Sequence, residues 1–155
     1  VWEAVFKAGE AFGIAPIGLA ARDTLRLEMG YCLYGNELNE DQSPIAAGLG
    51  WVTRPQTNFI NSEALGKEKT EGTSNKLVGF ELQERGIPRT GHQLFDSAGN
   101  QIGGVTSGTQ APSLGKGIGL GYVPKEFSAI GSKIQLQVRN KMLAATVVSL
   151  PFYRA

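Results

Sequence analysis

The feature that most constrains this chain is a change in the spacing of its apolar residues near residue 76. Ile134, Leu136 and Val138 alternate with Lys133, Gln135, Gln137 and Arg139, a period of two that puts one face of an extended strand in a core and the other in water. Shorter runs of similar character lie at Leu77–Leu82, Gln93–Phe95, Gln101–Thr106, Lys116–Val123 and Leu143–Leu150. Turn residues separate them at Ser97-Ala98-Gly99-Asn100 and Arg139-Asn140-Lys141, where Gly and Asn tolerate the backbone conformations a reversal needs. About six short antiparallel strands without a helical period predict a small barrel or sandwich over residues 76–155. Gly115, Gly117, Gly119 and Gly121 occupy alternate positions. That strand face is bare, which fits a strand bent at a barrel corner or the close approach of another backbone or a bulky ring. The bend is the simpler expectation.

Residues 1–75 read differently. Trp2, Val5, Phe6 and Phe12 recur at spacings near three and four, one face of a helix that Gly13 can end in the left-handed region. Gly18 to Glu28 is rich in good helix formers and Gly30 follows as a stop, so a second helix is expected there. Ser43-Pro44 reads as a cap and first-turn proline, Leu49–Thr53 as a short strand, Asn61 as the cap of a helix through Leu65, and the polar stretch from Gly66 to Asn75 as a boundary linker. The expected class is therefore α+β, a helical and mixed segment (1–75) followed by a small antiparallel β-barrel (76–155).

With 155 residues, 41% hydrophobic and 19% charged, the chain can bury a core and does not have a disordered composition. No apolar run is long enough for a membrane-spanning helix and no basic-then-apolar leader opens the chain, so a soluble protein is expected, with no membrane partner. It begins at Val1, directly in a helical pattern, which suggests excision from something longer. The lone Cys32 cannot form an internal disulfide and fits a reducing compartment, the cytoplasm or an organelle matrix. Residues 1–75 carry six Lys/Arg against ten Asp/Glu, residues 76–155 nine against four. The basic second half suits an anionic partner, although its charges are scattered and fit an ordinary solvated surface equally well.

Several chemistries fail on spacing. Gly108 and the Gly115-Lys116 pair are separated by six residues where a phosphate loop has four, and Gly117 stands where a metal-binding Ser/Thr is needed. Gly117-Ile118-Gly119-Leu120-Gly121 lacks the spacing and following helix of a dinucleotide fingerprint. One His and one Cys, sixty residues apart, make a metal site or a His-based nucleophile arrangement unexpected. His92 reads as a surface residue at a strand end. What remains is arginine. Arg22 and Arg26 share a face of the second helix, where Asp23 or Glu28 can pair with one of them. An arginine left over there has the planar fork that grips a carboxylate or the edge of a heterocycle. Arg154 lies near the terminus, where side chains are commonly mobile.

These segments, taken in order, resemble a known family. Pro16-Ile17-Gly18-Leu19-Ala20-Ala21-Arg22-Asp23-Thr24-Leu25-Arg26-Leu27-Glu28-Met29-Gly30 followed by Leu33-Tyr34-Gly35-Asn36 is similar to the PxGLxARDxLRLEAG…LYG signature of glycine cleavage T-proteins. Ser43-Pro44-Ile45, Gly48-Leu49-Gly50-Trp51, Arg85-Gly86-Ile87-Pro88-Arg89, Gly104-Val105-Thr106-Ser107-Gly108-Thr109, Pro112-Ser113-Leu114-Gly115-Lys116 and Pro151-Phe152-Tyr153-Arg154 follow in the family's order. Met29, in place of a commoner alanine, is a minor departure.

The resemblance implies the C-terminal portion of an aminomethyltransferase. Such enzymes take the aminomethyl group from the dihydrolipoyl arm of the H-protein, release ammonia and pass the one-carbon unit to tetrahydrofolate. Residues 1–75 would close the discontinuous folate-binding domains, and 76–155 would be the barrel that covers the cavity. The ARD arginine, a folate contact in the family, falls on Arg22, and the family's C-terminal arginine on Arg154. The essential aspartate and a folate-binding glutamate lie earlier in the family's polypeptide, so no catalytic residue is assigned here, no metal is implied, and the segment alone is expected to be inactive. Its exposed first helix suggests self-association. The alternatives are a folate domain of a dimethylglycine or sarcosine oxidizing enzyme, an iron-sulfur assembly relative, and a non-enzymatic module binding single-stranded nucleic acid or an acidic protein. The full ARDTLRLE run and LYG disfavour the relatives, and the want of aromatics interleaved with Lys/Arg disfavours nucleic acid.

Overall fold

A computed structural model describes residues 1–154. Six strands, β1 (Asn75–Leu82), β2 (Gln93–Phe95), β3 (Gln101–Ala111), β4 (Lys116–Pro124), β5 (Lys133–Val138) and β6 (Lys141–Val148), close into an antiparallel barrel in the order β1-β4-β3-β2-β5-β6. Closure leaves no long unpaired edge. Inside lie Val78, Phe80, Leu82, Leu94, Val105, Val123, Ile134, Leu136, Leu143, Ala145 and Val147, the residues that alternation selects. The turns fall where expected; Gly99 takes φ 86° in one, but in the other it is Arg139 (φ 55°), not Asn140, that enters the left-handed region.

Strand β4 breaks the usual alternation, because Gly117 to Gly121 are buried on both sides. Ile118 and Leu120 point to a second apolar cluster with Leu27, Ala111 and Phe152, while the alternate glycines face the barrel interior. A Cβ on Gly119 would sit 2.5 Å from Phe80 Cζ and one on Gly121 2.9 Å from Leu94 Cδ1. Close approach is thus found along this face, by a ring at Gly119 and by backbone oxygens at Gly117 (Gly86 O, 2.5 Å) and Gly121 (Gly104 O, 2.7 Å).

Of the helices in the first 74 residues, the second is the one that packs on the outer wall, against β3 and β4. Helix α1 (Trp2–Gly9) passes into a 3-10 turn (Glu10–Phe12) that Gly13 ends at φ 67°. Trp2 and Phe6 stack with ring centroids 4.6 Å apart, but no residue of α1 is buried. Helix α2 (Leu19–Glu28) stops at Gly30 (φ 67°) and buries Leu27 and Glu28 against the barrel.

Three expectations need correction. Leu49–Thr53 is not a strand: Val52 and Thr53 N–H both return to the Leu49 carbonyl, and the Thr53 hydroxyl does the same, so local turns satisfy groups that a neighbouring strand would otherwise pair. Helix α3 does not end at Leu65 but runs from Ser62 to Glu71, through most of the polar stretch read as a linker. Gly66 inside it packs against Pro55, and its polar residues give i,i+4 contacts such as Lys67–Glu71 at 4.0 Å instead of breaking it. Asn61 precedes this helix in the left-handed region (φ 69°) and makes no side-chain cap bond.

Candidate functional site

Helix α2 sorts its two arginines into different roles. Arg26 is spent on structure: its side chain is 9% exposed. Its Nε donates to Asp23 Oδ1 at 2.8 Å, Nη1 to Glu37 Oε2 at 2.8 Å and to the Tyr31 carbonyl at 3.1 Å, and Nη2 to Ser107 Oγ at 2.8 Å. Glu28, the other acid considered as a partner, instead accepts from the Ser113 N–H at 3.1 Å. Arg22, one turn earlier, is exposed, and its side chain has no hydrogen-bond or ion-pair partner among the described residues. It lines an open cleft of about 450 Å³ with Leu19, Ala20, Asp23, Leu33 and Asn36. A guanidinium beside apolar Leu19 and Leu33 and the amide of Asn36 can hold a planar polar ring or a carboxylate by two parallel bonds.

Beneath this cleft lies a polar cluster that the residue pattern did not reveal. Glu37, with no exposed surface, accepts from Arg26, from the Leu33 N–H at 2.9 Å and from Thr106 Oγ1 at 2.7 Å. Ser107, 2% exposed, accepts from Arg26 and from Asn36 Nδ2 at 2.9 Å. The Tyr122 hydroxyl donates to the Glu37 carbonyl at 2.9 Å. Burial, with smaller contributions from Cys32 and Glu37 nearby, pushes the Tyr122 phenol up to about 12. Burial, then the charge of Glu37, raises the Cys32 thiol above its ordinary value, against the lowering effect of Arg26. Both effects disfavour the thiolate that reactive cysteines need.

Two larger clefts lie on the barrel, on either side of Arg85-Gly86-Ile87. One, of about 630 Å³, is lined by Arg85, Arg89, His92, Arg139 and Lys141 and by no carboxylate among the described residues. Much of the basic excess of the second half is gathered there. His92 is half-buried just before β2, as expected of a strand-end residue, and its Nδ1 accepts from the Arg89 N–H at 3.3 Å. Arg154 is exposed and donates to Ser149 Oγ at 2.6 Å. No hydrogen bond joins it to Arg22 among the described residues. No helix is long and apolar enough to cross a membrane among the described residues.

Comparison with known proteins identifies a family. Residues 75–154 match the family described as glycine cleavage T-protein C-terminal barrel domain, and residues 1–57 match the GCVT N-terminal domain. An aminomethyltransferase of Flavobacterium psychrophilum is 56% identical over 154 residues, 99% of this chain and 43% of that protein. One from Halothermothrix orenii is 52% identical over 153 residues, 98% of this chain and 43% of the relative. The crystal structure of the glycine cleavage system aminomethyltransferase T from Bartonella henselae superposes with a TM-score of 0.84 at 40% identity, covering 88% of this chain and 39% of that one. The chain therefore spans about 43% of the length of the curated relatives it matches.

Proposed function

We propose a function from the premise that this chain belongs to the glycine cleavage T-protein family, as the C-terminal region of an aminomethyltransferase. In the full-length enzyme, the one-carbon unit passes from the aminomethyl-dihydrolipoyl arm of an H-protein to tetrahydrofolate, with release of ammonia. Residues 1–75 close the folate-binding part and 76–155 form the barrel over its cavity. The essential acid is supplied by a part of the polypeptide outside this segment, so the segment alone does not turn over. The setting is the bacterial cytoplasm or, in a eukaryote, the mitochondrial matrix.

The observation that carries this reading is the division of labour on α2: Arg26 is fully bonded, while the Arg22 side chain has no partner among the described residues and opens into the cleft. A pterin or a folate carboxylate suits that guanidinium, and the apolar Leu19 and Leu33 beside it remove water from the contact, which strengthens each polar bond. Holding the folate amine next to the carrier's carbon is where most of the rate gain of such a transfer arises. Arg154, at the other end of the segment, is a second folate contact in this proposal. The cationic groove around Arg85, Arg139 and Lys141 supports a carrier that presents carboxylates.

The experiment is calorimetric titration of tetrahydrofolate into the full-length enzyme and its Arg22→Ala variant. Loss of one charge-assisted bond weakens binding by about 1.5–3 kcal/mol. Equal affinity of the two proteins, with folding intact, would falsify the role of Arg22. Ammonia release from aminomethylated H-protein by the 155-residue segment alone would remove the argument that the essential acid lies elsewhere. The exposed apolar residues, Trp2 and Phe12 at 68% and 88% exposure among them, support self-association of the isolated segment.

A further inference from the structure

The buried cluster under the Arg22 cleft has a geometry that stability alone does not account for. A buried ion pair is often no more stabilising than a well-packed apolar pair of the same volume, yet Arg26 and Glu37 are held by partners from three separate parts of the chain. The barrel's contribution comes from an irregularity. The register between β3 and β4 shifts between Val105 and Ser107, a bulge that leaves Thr106 as the extra residue. Adjacent residues of a regular strand point to opposite faces. Here Thr106 reaches Glu37 and its neighbour Ser107 reaches Arg26 and Asn36, so both hydroxyls serve the same cluster.

Half of the cleft around Arg22 hangs from this cluster. Of its lining residues, Asp23 is bonded to Arg26, the Leu33 N–H to Glu37 and Asn36 to Ser107. Arg26 also stands one helical turn from Arg22 and fixes the rotation of α2 against the barrel wall. We infer that Glu37 is a positioning residue for the transfer reaction, which with the Thr106-Ser107 bulge sets the placement of Arg22 and of the cleft wall facing it. This rests on the folate reading of the cleft and adds to it that the barrel, through the bulge, determines how well the folate is gripped.

The test is a double-mutant cycle on tetrahydrofolate affinity in the full-length enzyme. Glu37→Gln and Ser107→Ala are each measured alone and in the Arg22→Ala background. If the cluster acts through Arg22, each variant weakens binding by about tenfold when Arg22 is present and by less than about twofold when it is absent, the non-additivity expected of groups in one network. A cluster that only holds the fold together lowers the melting temperature and weakens binding by the same factor in both backgrounds, and that result overturns the inference. So does unchanged affinity in folded variants. Should Glu37→Gln not fold, Ser107→Ala, which leaves the Arg26–Glu37 pair in place, carries the cycle. Wild-type enzyme that takes up no tetrahydrofolate overturns the folate reading itself, an outcome distinct from binding that proves uncoupled.

Discussion

Substitution of Gly119 by alanine tests the packing of the barrel where a bare strand face meets an interior ring. An added Cβ would lie 2.5 Å from Phe80 Cζ, 2.9 Å from Cε1 and 3.1 Å from the Ser107 carbonyl oxygen. Ordinary contact needs at least about 3.5 Å, so the ring has to move by about 1 Å. Phe80 has no exposed surface and sits among the interior residues of the barrel, where close packing leaves it no room to move. Overpacking of this kind costs about 1–3 kcal/mol, or about 2–4 °C in melting temperature per kcal/mol for a protein of this size. Gly104→Ala is the control. It lies on the adjacent strand, has no positive φ, and its Cβ would meet nothing closer than the His92 carbonyl at 3.8 Å. There alanine is neutral or adds up to about 1 kcal/mol by restricting the unfolded chain. Urea unfolding of both variants measures the difference. Placing Gly119→Ala in a Phe80→Leu background should recover most of the loss, because the clashing ring atoms are gone. Gly119→Ala within about 0.5 kcal/mol of wild type, or no recovery with Phe80→Leu, would refute the account of the glycine face.

The phenol of Tyr122 rises to about 12 in the folded protein from an ordinary value of 10. Below pH 10 both states keep the proton, so its contribution to stability is fully present there and is lost as pH climbs toward 12. Alkaline unfolding should therefore be steeper in wild type than in Tyr122→Phe, and equal slopes would remove the cause. Light scattering of the isolated 155-residue segment should show oligomers that dissociate on dilution, and a monomer across the whole concentration range would count against the exposed α1 face as their cause. Reversal of charge in the basic groove, Arg85→Glu with Lys141→Glu, should slow association with the lipoyl carrier and flatten its dependence on salt. An unchanged salt slope would move the docking surface elsewhere.

The barrel was legible in the sequence because each strand buries one face, and alternation such as Ile134, Leu136 and Val138 records that directly. β3 was read five residues too short, since Ser107, Gly108, Thr109 and Gln110 carry no apolar signal and their pairing with β4 is set by the partner strand. Leu49–Thr53 looked like a strand by composition, but local turn bonds took up its backbone groups. The end of α3 was missed because Gly66 and the polar residues after it read as loop, while their helix is supported by packing on Pro55. In the candidate site, the competition between Arg22 and Arg26 for Asp23 was visible, but its outcome was not. That outcome depends on Glu37 and Ser107, which lie 11 and 81 residues from Arg26, and nothing local marks a bulge that turns two neighbouring hydroxyls the same way.

Strand β4, covered by Phe80 and Leu94 on one side and by Leu27 and Phe152 on the other, has no face in contact with solvent over its central residues. Its amides, bonded to β1 and β3, can meet deuterium only when both layers separate, which amounts to opening the whole domain. The Ile118–Gly121 stretch should therefore be the last part of the chain to exchange, and its rate would report global unfolding without a denaturant.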